Sequence, residues 1–283
     1  MLEQSWPHHG PGANVGGDDV GAATAGRDLR LCLLGQFSLQ IGPVRTPVVQ
    51  SVQRLLAFLA LQEGWVRRSY AAGTLWGDVP EERAKGSLRS ALWKLRHLDE
   101  RLVEAEAEEV RLSPVVEVDY RVLFCAVRRA LAGRVTAAQD ELLGATAQVD
   151  LLPGWYEEWV VLERERSRET VLLALDALAD TSMAEHQARP AILAALAAVK
   201  RDPLRESSHR ALIRAHLLEG NAAEALRCYR LYARVLHDAL RLEPSSQMHE
   251  LVQPLLAASA RLAPLPRRDG TRWSAGETRA AKR

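Results

Sequence analysis

The sequence predicts an α+β winged helix-turn-helix in its N-terminal part, followed by an all-α, tetratricopeptide-like domain. Short β-rich segments flank three helical segments within the first 118 residues. From Asp119 onward the apolar residues follow a helical period, and no strand pattern remains. A length of 283 residues is enough for two such domains.

Composition suggests four segments. Residues 1–28 are rich in glycine and alanine and lack an apolar period, so we expect a disordered leader there. We assign residues 29–118 to the winged-helix domain and residues 119–261 to the helical domain. Residues 262–283 read as a disordered basic tail.

The N-terminal domain begins with β-rich sequence. Residues 29–42 predict two short strands separated near Gly35, and Gly42-Pro43 marks a turn. A helix is expected at about 50–63, because its leucines and phenylalanine form one apolar face, and Gly64 follows at its end.

Two more helices and a hairpin complete this domain. A short helix starts at Ser69 and runs through Trp76, and a third covers about residues 82–98. The segment 102–112 reads as two short strands around an acidic turn. This order of helix, helix, helix and hairpin is that of a winged helix-turn-helix.

The C-terminal half is predicted to be helical throughout. Asp202-Pro203 and Glu243-Pro244 interrupt the pattern between helices. Helices are expected at about 119–132, 136–147, 155–184, 189–200, 205–219, 221–240 and 245–260.

A repeat in this half indicates stacked helical hairpins. Small residues and a helix-ending proline occur at the offsets of a tetratricopeptide unit: Ala191, Ala195, Ala198 and Pro203. Ala225 and Tyr229 follow Ala191 and Ala195 by 34 residues, although Tyr232 replaces a small residue. A generic helical bundle is the alternative.

Charge and cysteine content limit the function classes. The net charge is +1, so any DNA affinity must come from a local basic patch. Cys32, Cys125 and Cys228 are odd in number and far apart, which predicts free, mostly buried thiols without a disulfide or zinc site. No apolar run reaches about 18 residues and no signal peptide is present, so we expect a cytoplasmic protein without membrane attachment.

No catalytic or cofactor-binding motif stands out. The sequence lacks the nucleotide-binding, zinc-protease and serine-hydrolase signatures, so we expect no enzyme activity and no cofactor. His209 and His216 lie two helical turns apart without a cysteine or carboxylate at ligand spacing, which argues against a metal site.

The third helix carries the candidate site. Its sequence from 83 to 98 contains five basic residues and no acidic ones. One arc is apolar and must face a core: Ala84, Leu88, Ala91, Leu92, Leu95 and Leu98. The opposite arc is polar and cationic. Its candidate DNA-binding residues are Arg83, Lys85, Ser87, Arg89, Ser90, Trp93, Lys94 and Arg96.

Cations that flank a polar, aromatic centre suit a helix in the major groove, because cations meet phosphates while central side chains reach base edges. Arg89 and Ser90 are candidate base readers. Candidate phosphate contacts are Arg83, Lys85, Lys94 and Arg96. A solvated cationic helix is the alternative, and Trp93 could instead fold back onto the protein.

These segments resemble a known family. "LRLCLLGQFSLQ", "RLLAFLAL", "SYAAGTLWGD" and "RAKGSLRSALWKLR" resemble the OmpR-type winged helix of the Streptomyces antibiotic regulatory protein family. "DLLPGWYEEWVVLERER" and the segment 202–245 resemble its bacterial transcriptional activator domain. The likeness covers about residues 29–255.

The resemblance implies a transcription activator. Members bind direct repeats in double-stranded promoter DNA near the −35 element, usually as two protomers side by side. They recruit RNA polymerase holoenzyme through its sigma factor and switch on secondary-metabolite gene clusters, including those for antibiotic biosynthesis. By position, the family's recognition helix falls on residues 83–98 here.

The hairpin departs from that expectation. It carries Glu104, Glu106, Glu108 and Glu109, with Arg111 as its one cation, and phosphates repel carboxylates. This puts a DNA role of the wing in doubt. Two other functions remain open: a helical-repeat adaptor without DNA binding, and a regulator that senses a ligand through its helical domain.

Overall fold

The computed structural model describes residues 28–133 and 150–261. An α/β region comes first and a helical region follows it. The predicted helix at 136–147, residues 1–27 of the predicted leader and the predicted basic tail lie outside the described residues.

The N-terminal region contains two small sheets. The first has the order β3-β2-β1-β7, formed by Leu29–Cys32 (β1), Ser38–Ile41 (β2), Val44–Thr46 (β3) and Val116–Val118 (β7). The second has the order β4-β6-β5, formed by Val66–Arg67 (β4), Val103–Ala105 (β5) and Glu109–Leu112 (β6). The hairpin at 102–112 is confirmed as β5 and β6. The prediction missed β3, β4 and β7.

Three helices lie between these strands. They are Gln50–Leu61 (α1), Arg68–Leu75 (α2) and Glu81–Leu98 (α3). Leu55, Leu56, Phe58 and Leu59 of α1 are almost fully buried, as the apolar period predicted. A 3₁₀ turn at Glu100–Leu102 connects α3 to β5.

The described helices of the C-terminal region pack largely in chain order. They are Asp119–Leu131 (α4), Glu158–Ala184 (α5), Ala188–Arg201 (α6), Glu206–Leu218 (α7), Ala222–Leu240 (α8) and Ser246–Arg261 (α9). From α5 to α9 each helix contacts the next. The helix predicted from residue 155 begins at Glu158, because Trp155 belongs to the preceding loop.

The repeat positions are buried in this stack. Ala191, Ala195, Ala198 and Ala225 have no exposed surface, which lets neighbouring helices approach closely. Tyr232, which replaces a small residue, is 1 % exposed and stacks on His209 at a centroid distance of 4.3 Å. The aromatic ring therefore fills the space between α7 and α8.

No helix in the described part of the chain is long and apolar enough to cross a membrane. The three cysteines are free, but they are not mostly buried as predicted: Cys32 and Cys228 are half-buried, and Cys125 is exposed on the outer side of α4.

Candidate nucleic-acid interface

The third helix, α3, is amphipathic in the way its sequence predicted. Glu81 and Glu82 lie in its first turn and Arg96 and His97 in its last, so charge at each end complements the helix dipole. Its buried face is formed by Ala84, Leu88, Ala91, Leu92 and Leu95. Leu98 was predicted to be buried with them but is 36 % exposed, because the helix ends there.

The opposite face of α3 is open to solvent. Six of the predicted site residues are exposed: Arg83, Arg89, Ser90, Trp93, Lys94 and Arg96. Lys85 and Ser87 are half-buried. The structure therefore brings the eight residues together on one accessible surface.

Trp93 does not fold back onto the core. Its side chain is 60 % exposed, and its ring stacks on that of His97 with centroids 3.9 Å apart. Nδ1 of His97 lies 2.9 Å from the carbonyl oxygen of Trp93. This local pair presents an aromatic surface at the centre of the exposed face.

Lys85 differs from the other cations because it is neutralised within its own helix. Its Nζ lies 2.8 Å from Oε1 of Glu81 and 3.1 Å from Oε1 of Glu82. Hydrogen bonds to these two carboxylates raise the pKa of Lys85. A phosphate would have to replace them, so Lys85 is a weaker candidate contact than the sequence suggested.

The remaining cations of the face have no such partners in the part of the chain that the structure describes. Within residues 28–133 and 150–261, no ion pair joins a carboxylate to Arg83, Arg89, Lys94 or Arg96. Arg83 and Lys94 border one side of the face, and Arg89 and Arg96 border the other. Positive charge is thus available along both edges of the helix.

A groove runs along one of these edges. Arg83, Ser87, Ser90 and Lys94 occur at intervals of four, three and four residues and so form one stripe on α3. They line an open cleft of about 620 Å³, and its other lining residues are Ser51, Arg54, Trp76, Asp78, Val79 and Gly86. Three cations and a single carboxylate therefore line this groove, together with three hydroxyl groups.

The acidic hairpin is partly balanced by its own sheet. Nη2 of Arg111 lies 2.5 Å from Oε2 of Glu104, and Oγ of Ser113 donates to Oε1 of the same carboxylate at 3.1 Å. These bonds lower the pKa of Glu104. The guanidinium of Arg111 also lies 4.5 Å from the ring centroid of Trp65. Glu104 is therefore part of the sheet's internal contacts.

The short strand β4 brings further cations to this hairpin. Arg67 lies opposite Glu109 in the antiparallel pair β4–β6. The backbone N–H of Arg68 donates to the carbonyl oxygen of Glu108 at 2.9 Å, and its Nη2 donates to that of Glu106 at 2.8 Å. Arg111 is the one cation within the hairpin, but the sheet to which the hairpin belongs also contains Arg67 of β4. The exposed tip is still acidic, since Glu106 and Glu108 are exposed.

Hydrogen bonds to backbone N–H groups fix the start of α4 to the segment that follows β1. The Asp119 carboxylate accepts from the backbone N–H groups of Leu33 at 2.8 Å and Leu34 at 3.0 Å. Burial raises the pKa of Asp119, while these N–H donors act in the opposite direction. The first residue of α4 is thus bonded directly to the two residues that follow β1.

Arg121 connects α4 to the end of α1. Its Nε donates to the carbonyl oxygen of Ala60 at 3.1 Å, and its Nη2 donates to those of Gln62 at 3.1 Å and Leu59 at 3.4 Å. Carbonyl oxygens at a helix C-terminus lack N–H partners within the helix, and the guanidinium of Arg121 donates the missing hydrogen bonds.

Arg164 fixes the loop before α5. Its Nε donates to the carbonyl oxygen of Leu151 at 2.7 Å, and its Nη2 donates to those of Leu152 at 2.6 Å and Trp155 at 3.0 Å. The charged run 163–169 reads in the sequence as a solvated, ion-paired face, but Arg164 is directed inward. This contact went unpredicted because its acceptors are backbone carbonyls.

Aromatic rings of the loop before α5 and of α5 itself pack against the core of the α/β region. Trp155 stacks on Phe37 at 5.9 Å, and Trp159 meets Phe58 edge to face at 5.6 Å. Leu151, Leu152 and Val160 belong to the same buried cluster as α1 and α3. The helical region therefore completes the core that supports α3.

The two histidines singled out in the sequence lie inside the helical stack. Nε2 of His209 lies 2.9 Å from the carbonyl oxygen of Pro203. Burial lowers the pKa of His209, which favours the neutral ring. Within the described residues, no group of three or more His, Cys, Asp or Glu side chains is placed to hold a metal ion.

Comparison with known proteins adds three findings. Residues 118–256 match the family model of the bacterial transcriptional activator domain. Regulatory protein AfsR of Streptomyces coelicolor is 30 % identical over 246 residues, which cover 80 % of this chain and 24 % of AfsR. The chain therefore spans about a quarter of the length of this curated relative.

A solved structure agrees with this result. A structure described as Mycobacterium tuberculosis EmbR in complex with low affinity phosphopeptide matches with a TM-score of 0.63 and 25 % identity. The match covers 82 % of this chain and 65 % of the EmbR chain. A mixed α/β region followed by a helical region is thus common to both.

Proposed function

Because the chain belongs to the Streptomyces antibiotic regulatory protein family, we propose that it is a transcription activator that binds promoter DNA through α3. The observation that carries this proposal is the exposed face of α3. It offers four cations without carboxylate partners in the described residues, on a helix whose opposite face is held in the core.

In this proposal the α/β region is a winged helix-turn-helix. The helices α1, α2 and α3 precede the β5–β6 hairpin, and α3 is the recognition helix. Arg89 and Ser90 read base edges, while Arg83, Lys94 and Arg96 contact phosphates. Glu106 and Glu108 are exposed at the hairpin tip. Because phosphates repel carboxylates, this tip stays away from the DNA backbone.

Gly86 supports close approach of this face to a duplex. Glycine within a helix costs about 1 kcal/mol relative to alanine. An added Cβ at Gly86 would meet just the guanidinium of Arg89, at 3.8 Å, so packing within the described protein does not require glycine here. A bare backbone beside Arg89 and Ser90 lets DNA come nearer to α3.

The helical region is assigned to protein contacts. We propose a tetratricopeptide-like array from α5 to α9, in which buried alanines allow hairpin stacking and the exposed surface binds partners. Its partners would be a second protomer on direct repeats and RNA polymerase holoenzyme with its sigma factor. The regulated genes would form a secondary-metabolite cluster, as for antibiotic biosynthesis.

Fluorescence anisotropy with promoter DNA at two salt concentrations tests the proposal. We expect affinity to fall steeply with salt, because each phosphate contact contributes a slope of about −0.9 to log K against log salt. A fragment of equal length and scrambled sequence serves as the control, and it should bind more weakly. An adaptor would bind neither fragment specifically, and that result would exclude DNA recognition.

A further inference from the structure

Arg54 lies where the groove beside α3 meets the helical region. It projects from α1 and lines the groove together with Arg83 and Lys94. Its Nε also lies 3.1 Å from Oε1 of Glu157, the residue that precedes α5. Both side chains are 24 % exposed, so solvent screens this pair only partly. One guanidinium thus borders the candidate DNA surface and the helical region.

The contact between Arg54 and Glu157 leaves the guanidinium incompletely satisfied. Nε of Arg54 is buried and makes no hydrogen bond of acceptable geometry to any described residue, despite its short distance to the carboxylate. The attraction is therefore mainly between charges. Another anion can therefore replace the Glu157 carboxylate beside Arg54 at low cost. The directed hydrogen bonds of Arg121 and Arg164 could not be replaced so easily.

The groove itself suits an extended polyanion. Arg54, Arg83 and Lys94 supply positive charge, and Ser51, Ser87 and Ser90 supply hydroxyl donors along the same cleft. Asp78 is the single acidic residue in its lining. Phosphate oxygens of one strand would meet donors from both α1 and α3, since residues of both helices line the cleft.

We propose that this groove holds one sugar–phosphate strand of the bound duplex, and that Glu157 competes with a phosphate of that strand for Arg54. This inference rests on the proposed function of α3 and extends it to α1 and α5. Glu157 lowers DNA affinity in the free conformation. A partner that shifts the start of α5 would release Arg54 and tighten DNA binding.

The competition is tested with Glu157→Gln, which removes the carboxylate and keeps the side-chain size. DNA affinity should rise about two- to fivefold at constant salt, the range set by a partly exposed ion pair. Glu158→Gln is the matched control, because it removes the same charge from the next, exposed residue. Its affinity should stay close to that of the wild type.

Arg54→Gln completes the set. It should weaken DNA binding and reduce the salt slope by about one phosphate contact. In the double variant Arg54→Gln/Glu157→Gln, the gain from Glu157→Gln should disappear. Unfolding curves of each variant check that the fold is retained, and a gain in affinity cannot result from misfolding.

Two outcomes separate this inference from the function on which it rests. If the wild type binds promoter DNA specifically and Glu157→Gln binds no tighter than Glu158→Gln, the competition is refuted while the function stands. If the wild type does not bind DNA, the proposed function fails. If the gain from Glu157→Gln persists without Arg54, the carboxylate acts by another route and the inference is overturned.

Discussion

Replacing Arg164 with alanine is expected to lower the free energy of unfolding by about 3 kcal/mol. Arg164 donates to three backbone carbonyls of the loop before α5, at 2.6 to 3.0 Å. A hydrogen bond from a charged donor contributes about 1.5–3 kcal/mol, and carbonyls left without a partner add a desolvation cost. The loop would also release Trp155 from Phe37.

Urea denaturation followed by circular dichroism measures this loss. Arg166→Ala is the matched control, because Arg166 is 75 % exposed and pairs with Glu163 on the helix surface. Because the guanidinium of Arg166 is mostly exposed, its ion pair contributes about 0–1 kcal/mol, and Glu163 keeps its hydrogen bond from Tyr120, so the control should change stability little. Arg164→Lys should remain destabilised, since an ammonium group cannot reproduce the planar fork of donors. Equal stability of Arg164→Ala and Arg166→Ala would contradict the assigned role.

Arg89→Ala is expected to lose about 1–3 kcal/mol of DNA binding free energy, concentrated at one base pair of the site. Arg89 is exposed on α3 beside Ser90, and no carboxylate of the described residues forms an ion pair with it. If its guanidinium donates to a guanine, the variant should tolerate any base at that position. Binding to a set of single-base operator variants measures this change.

Arg128→Ala is the control for Arg89. It removes the same charge from α4, where Arg128 is 66 % exposed, and should leave affinity and base preference nearly unchanged. An equal loss on every operator variant would reassign Arg89 to a phosphate contact. An unchanged affinity would remove it from the interface.

The elements that the sequence predicted well are those with a long apolar period. Helix α3 extends over 18 residues, so its buried alanines and leucines recur often enough to define its faces. The exposure of Arg89 and Ser90 followed from the same pattern, whereas the pattern left the orientation of Trp93 open. The order of a mixed α/β region and a helical region, and the exposure of one face of α3, could therefore be predicted from local sequence.

Strands β4 and β7 could not be predicted from local sequence in this way. Strand β4 has two residues and β7 has three, which is too short for an alternating pattern. Val66 pairs with Val110, and Leu29 pairs with Val116 at the far end of the region. Pairing over such separations depends on the tertiary fold, and it also brought Arg67 to the acidic hairpin.

Side-chain contacts between the two regions were also beyond sequence analysis. Asp119, Arg121 and Arg164 bond to backbone groups, which every residue carries and no pattern distinguishes. The pairing of Arg54 with Glu157 joins residues from two different regions of the chain. These contacts join the helical region to the α/β region that holds α3 in place.

Photocrosslinking from α3 tests the central claim, that this helix lies against the DNA. An azide reagent is attached to Ser90→Cys in a chain whose exposed Cys125 is replaced by serine, and the parent without Ser90→Cys gives the background. We expect crosslinks from position 90 to the same base pairs in each half-site. Leu193→Cys, 53 % exposed on α6, should give none. Crosslinks from position 193 without any from position 90 would contradict the assignment of α3.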